Sequence, residues 1–133
     1  MKKHYEVVGA VILENGKLFS ARRGESKFSY VAHKYEFAGG KIEAGETGEE
    51  AIEREIREEL GAKIKVLDKF DCVSHEYPDF TITLHTYLCE FITSYKNTEH
   101  EDLKWIPLSE IKEEEWAPAD IPVLRKIIKK FSN

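Results

Sequence analysis

The stretch from Glu43 to Gly61 constrains this chain more than any other. It sets eight Glu against Arg54 and Arg57, a local net charge of −6. Thr47 with Glu50 three residues later is a capping box, and Gly61 is a natural stop, so the spacing predicts a helix over 47–60. At about 100° per residue, Ile52, Ile56 and Leu60 form one apolar stripe that must face a core. Ala51 lies to the side of that stripe. Glu55 and Glu59 fall between Ala51 and the stripe, and Glu58 lies beside Ala51. Glu50, Glu53, Arg54 and Arg57 collect on the opposite side, toward water. Three carboxylates thus crowd the edge of a packing face, at spacings where like charges repel. A charge run is most often a solvated helix face. This one carries its repulsion into the packed edge, which a bound cation would relieve. Carboxylates without soft ligands nearby suit Mg²⁺ or Mn²⁺.

The rest of the chain supplies a sheet for that helix. Residues 5–13 are apolar and β-branched, Asn15-Gly16 signals a type I′ hairpin, and 17–22 returns as a second strand. Residues 23–34 read as an irregular surface loop and 35–37 as a short strand. Gly39-Gly40 and Gly45 bracket a turn-rich loop before the helix. Residues 62–75 and 80–93 read as strands joined at Pro78-Asp79, 94–101 as a polar loop, and 103–106 as a short strand. A short helix is expected over 109–115. Leu124, Ile127, Ile128 and Phe131 recur at helical spacing, with Pro122 tolerated in the first turn. The 133 residues suit one domain over 1–133, of the α/β class with helices on both faces of a sheet.

Composition excludes several roles. The longest apolar run, 7–13, is too short to span a bilayer, and the N-terminus lacks the apolar stretch of a signal peptide. The expected location is cytoplasmic. Cys72 and Cys89 are single and far apart, so they are expected as small buried groups in strands. A formal net charge of −5 argues against a nucleic-acid polymer as partner. A small polyanion remains compatible if a metal ion bridges the like charges.

The spacing around the helix is more specific than its charge. From Gly40 the chain reads five residues, Glu46, seven residues, then Arg54-Glu55-Ile56-Arg57-Glu58-Glu59-Leu60-Gly61-Ala62. This matches the signature of the Nudix hydrolases, departing only at Ala62, a packing position where a bulky aliphatic is usual. Val8-Gly9-Ala10, Ala21-Arg22-Arg23, the 35–41 segment and the 116–122 segment extend the likeness to roughly 5–131. They resemble the MutT and CTP-pyrophosphohydrolase branch. The resemblance implies an α/β/α sandwich with a mixed β-sheet between helices.

It also implies roles. Nudix enzymes use water to split a nucleoside diphosphate linked to another group. Glu55, Glu58 and Glu59 would hold Mg²⁺, with the Gly39 carbonyl and the loop carboxylate Glu99 as further ligands. Gly40 would let backbone approach phosphate, and Lys41 would contact it. Glu46 would pair with Arg54 and pin the loop to the helix. Glu55 and Glu99 are both candidates for general base. For the base of the substrate, Arg23 and Asp120 are candidate readers, and Tyr77 or Phe80 could stack. Asp120 could equally cap the last helix. An ionised Asp only accepts hydrogen bonds, so it would prefer a donor-rich edge such as cytosine N4. The five histidines show no ligand spacing and receive no role.

The expected activity is a nucleoside triphosphate pyrophosphohydrolase that releases monophosphate and pyrophosphate, with CTP, dCTP or modified pyrimidines preferred. An 8-oxo-dGTP diphosphatase is the alternative within the family, and another nucleotide-linked diphosphate a third. A non-catalytic nucleotide sensor on the same scaffold is a rival, but disabled copies would lose metal carboxylates and this chain keeps all three. A calcium-binding protein is disfavoured because no acidic loop of the required pattern is present. The protein is expected as a monomer or homodimer.

Overall fold

The long apolar segment near the N-terminus forms β1 (Lys3–Glu14), the centre of the sheet in a computed structural model that describes residues 2–132. Asn15 and Gly16 have φ of 52° and 76°, the left-handed pair a type I′ turn requires, and the chain returns as β2 (Lys17–Arg22). There follow β3 (Tyr35–Glu36), β4 (Gly39–Lys41), α1 (Gly48–Leu60), β5 (Ile64–Glu76), β6 (Phe80–Phe91), β7 (Asp102–Pro107) and α2 (Ile121–Phe131). The sheet runs β3-β2-β1-β6-β5, with β4 paired to β1 and β7 to β2. β1 and β6 are parallel and the other pairings antiparallel, so the sheet is mixed as expected.

Side-chain alternation along β1 assigns its two faces. Val8, Ala10 and Ile12 pack with Ile52, Ile56 and Leu60 of α1. Val11 packs on the other side with Val123, Leu124 and Ile127 of α2. The sheet therefore lies between two helices. The α1 boundaries follow the local chemistry. Thr47 and Glu50 form the reciprocal capping box, and Gly61 (φ 60°) closes the helix with its N–H donated to the Arg57 carbonyl at 3.0 Å. Ala62, 1% exposed, is absorbed into the α1 core.

Three local expectations change. Gly39–Lys41 is a strand, with Val8 opposite Gly40. A Cβ at Gly39 would overlap the Val8 carbonyl oxygen, so a glycine is what permits this pairing. The helix expected over 109–115 is two separate 3-10 turns, Leu108–Glu110 and Glu113–Glu115, with Ile111 extended between them. Only Leu108 of these turns is buried, so little packing holds a continuous helix against the repulsion of three successive glutamates. Finally, Cys89 is buried but Cys72 is exposed. Cys72 pairs with His85 on β6, two residues before Tyr87. Gly48, the first residue of α1, abuts the Tyr87 hydroxyl, so Cys72 lies on sheet that the helix does not reach. Among the described residues no helix is long and apolar enough to cross a membrane.

Candidate active site

The glutamates of α1 are graded by depth. The Glu59 carboxylate is 6% exposed, Glu55 18% and Glu58 52%. Arg54 does not stay on the water side as helical projection suggests. Its side chain is long enough to curl back over the helix surface. It donates from Nε and Nη2 to the two oxygens of Glu46, at 2.6 and 3.0 Å. Nη1 reaches Glu55 at 2.9 Å and Glu58 at 3.1 Å, and Nη2 also reaches the Lys41 carbonyl at 3.0 Å. One cation therefore ties three carboxylates and the backbone of the glycine loop together.

Glu59 behaves differently. Burial pushes its carboxyl up to about 7; the His100 ring pulls it back and neighbouring Glu55 pushes it further up. His100 Nε2 lies 3.2 Å from Glu59 Oε1. The other oxygen, Oε2, is buried with no hydrogen-bond partner among the described residues. An unpaired buried carboxylate oxygen is costly and calls for an explanation. At Gly40 a Cβ would come within 2.6 Å of the Glu55 carboxylate, so the missing side chain lets Glu55 sit against the loop. Hard oxygen donors with one lone pair set unclaimed fit a divalent cation. Among the described residues these groups do not form a closed cage of three ligands. Glu99 is exposed. From that loop it is His100, given no role on sequence grounds, that reaches the cluster.

A cleft of about 750 Å³ runs from Gly39, Gly40 and Lys41 to Arg23 and Asp120. The Lys41 ammonium lies 4.1 Å from the centre of the Tyr5 ring at its edge. Asp120 does not cap α2 with its side chain. Instead Oδ2 accepts from the Phe37 N–H at 3.2 Å. Burial holds its carboxyl well above the usual range and Glu36 adds to this, while the Phe37 N–H and Arg23 oppose it. Such a rise disfavours the ionised, acceptor-only form on which the preference for a donor-rich base rests. Arg23 donates from Nε and Nη2 to Glu36 at 3.2 and 2.9 Å. Tyr77 is buried, its hydroxyl accepting from the Ala119 N–H at 3.0 Å and its ring 5.0 Å from both Phe80 and Tyr30. Tyr30 comes from the loop read as merely irregular. Glu36 and Tyr30 were not singled out by sequence, which offers for them only a short strand and a polar loop.

A model of the NUDIX domain matches residues 3–127 of the chain. This protein belongs to the Nudix family. An 8-oxo-dGTP diphosphatase of Escherichia coli is 36% identical to it over 128 residues, covering 96% of this chain and 98% of its own. A CTP pyrophosphohydrolase of the same organism is 37% identical over 123 residues, covering 92% and 90%. The solution structure of the E. coli ORF135 protein superposes with a TM-score of 0.83 at 34% identity, over 98% of this chain and 93% of the other. The chain is a Nudix hydrolase of the α/β class, and the divalent metal that Nudix chemistry generally needs agrees with the donor set of α1.

Proposed function

We propose that this Nudix hydrolase is a Mg²⁺-dependent nucleoside triphosphate pyrophosphohydrolase, with Mn²⁺ as a working substitute. The observation that carries the reading is a continuous cleft. One end is the Gly39-Gly40 loop resting on Glu55; the other holds Asp120 and Arg23. Glu55, Glu58 and Glu59 do not themselves line it, but Glu55 touches Gly40 at its rim, so a triphosphate laid along the cleft brings its phosphates to the edge of the carboxylate cluster and its base to the polar end.

Glu55, Glu58 and Glu59, with the Gly39 carbonyl, would hold the ion. When bound, Mg²⁺ neutralises phosphate oxygens and lowers the pKa of water. Gly40 leaves room for phosphate, and Lys41 supplies a positive charge beside it. The Glu46–Arg54 pair holds the loop on the helix. Glu55, at the loop end of the cleft, is better placed than exposed Glu99 to take a proton from attacking water. The bond broken joins the α- and β-phosphates, giving nucleoside monophosphate and pyrophosphate. Arg23 and Asp120 read the base, and Tyr77 and Phe80 form an aromatic wall beside it.

CTP, dCTP or modified pyrimidine triphosphates are the proposed substrates. The likeness to the E. coli CTP pyrophosphohydrolase supports that reading; 8-oxo-dGTP is the second, supported by the likeness to the E. coli 8-oxo-dGTP diphosphatase. A panel of plain and oxidised nucleoside triphosphates with Mg²⁺, scored for pyrophosphate against phosphate release, separates them. Release of phosphate alone would contradict the proposed cleavage. Glu58→Gln should reduce turnover at least about a hundredfold with the fold retained, beyond the tenfold-or-more effect of outer contacts. Asp120→Ala should flatten the base preference while phosphate chemistry persists.

A further inference from the structure

His100 receives no role on sequence grounds, yet its ring is as buried as the Glu59 side chain, each 6% exposed. The loop that presents it is tied down on both sides. The Lys96 N–H donates to the Leu60 carbonyl at 2.8 Å, and the Thr98 hydroxyl donates to the Glu59 carbonyl. Asn97 and His100 exchange two side-chain-to-backbone bonds of 2.9 Å each. The Glu101 N–H donates to the Arg22 carbonyl at 2.8 Å. The ring is thus anchored to the same turn of α1 that carries Glu59. The nitrogen that faces Glu59, Nε2, also lies 3.9 Å from Oε2 of Glu36, which is itself held by Arg23, while Nδ1 is buried without a partner among the described residues.

We infer that His100 is a positioning residue for Glu59, its Nε2–H holding Oε1 so that Oε2 is the oxygen presented to the divalent cation. A free carboxylate can offer either oxygen in several orientations. A donor held on one oxygen selects the other and fixes the plane of the group. Such outer contacts orient metal ligands, and their loss costs about tenfold to a hundredfold in metal affinity. The unpartnered state of Oε2 is what this division of labour leaves. A ring that only filled space would not need a donor 3.2 Å from a buried carboxylate. The inference rests on the metal site proposed above.

The test is Mn²⁺ binding to the 133-residue chain without nucleotide, read from the electron paramagnetic resonance signal of the free ion. Glu59→Gln should remove the tightest site. His100→Leu, which keeps bulk but donates nothing, should weaken it by about tenfold to a hundredfold. His100→Gln, whose amide N–H can reach Glu59, should stay within about threefold of the parent, well short of that range. Far-UV circular dichroism checks the fold, and His100→Asn, with too short a reach, replaces His100→Leu if the latter does not fold. Parental Mn²⁺ affinity in His100→Leu, alongside a loss in Glu59→Gln, would overturn the role of His100 alone. Equal losses in His100→Leu and His100→Gln would overturn it too, since donation would then not be what matters. Parental affinity in Glu59→Gln would instead remove the metal site on which the inference stands.

Discussion

Replacing Arg54 by alanine breaks the junction between the glycine loop and α1. Not all of its contacts carry equal weight. Glu58 and Glu43 are more than half exposed, and pairs with them contribute little in water. Glu46 and Glu55, each 18% exposed, face an Arg54 that is 16% exposed, and the fork onto Glu46 is bidentate. Truncating one partner of a fully buried pair costs about 3–5 kcal/mol. Allowing for the solvent that still reaches this cluster, Arg54→Ala should cost about 2–4 kcal/mol. For a chain of this length that lowers the melting temperature by roughly 8–15 °C. Arg54→Lys keeps the charge but not the fork, and should lose about half as much. Thermal unfolding followed by circular dichroism measures both. Added Mg²⁺ should recover part of the loss in Arg54→Ala, because a cation among Glu55 and Glu58 replaces some of the missing charge. The part due to Glu46 should remain. Melting of Arg54→Ala within about 2 °C of the parent, less than about 1 kcal/mol, would refute the claim that these contacts act as a hub.

Two further outcomes follow from burial. The folded-state pKa of Asp120 is raised, so its contribution to stability is complete below the ordinary value of 3.8 and is lost as pH rises through the folded value. Asp120→Asn cannot ionise and its amide oxygen can still accept from the Phe37 N–H, so its melting temperature should gain on the parent's as pH rises above the ordinary carboxyl value of 3.8. A difference independent of pH would mean that burial does not dominate at Asp120. For the cysteines, an aromatic disulfide reagent should label Cys72 rapidly in the native protein. Cys89, with its thiol pushed up to about 12 by burial, should react only on unfolding. Rapid labelling of both would show that the α1 side of the sheet opens readily.

Much of the fold is legible because its signals are local. The Asn15-Gly16 turn, the capping box at Thr47 and Glu50, the Gly61 stop and the apolar stripe of α1 each depend on neighbours within a few residues. The misreadings are also instructive. Gly39–Lys41 looks like loop because its strand partner, β1, lies thirty or so residues away along the chain, roughly ten times the span that local propensity senses. Residues 109–115 have helical composition, but only a half-buried Ile111 packs on the core, too little to hold one helix. The Cα direction of Arg54 points to water, whereas a flexible side chain of that length ends where its charge is needed.

The sequence by itself determined the chemistry that depends on spacing along one helix: three carboxylates at the edge of a packing face, an arginine beside them and glycines on either side. That is possible because a helix turns a linear pattern into a surface. Only the tertiary structure decided which groups meet across elements. It joined His100 to Glu59, Glu36 to Arg23, and Asp120 to the Phe37 N–H. These contacts bridge residues from 13 to 83 positions apart, and depend on how sheet order folds β3 and the loop before β7 onto α1 and α2. No periodicity encodes such pairings, because each is set by packing in three dimensions. The acidic helix is therefore readable from sequence as a cation site, while the group that aims Glu59 becomes visible only once the loop carrying His100 closes against it.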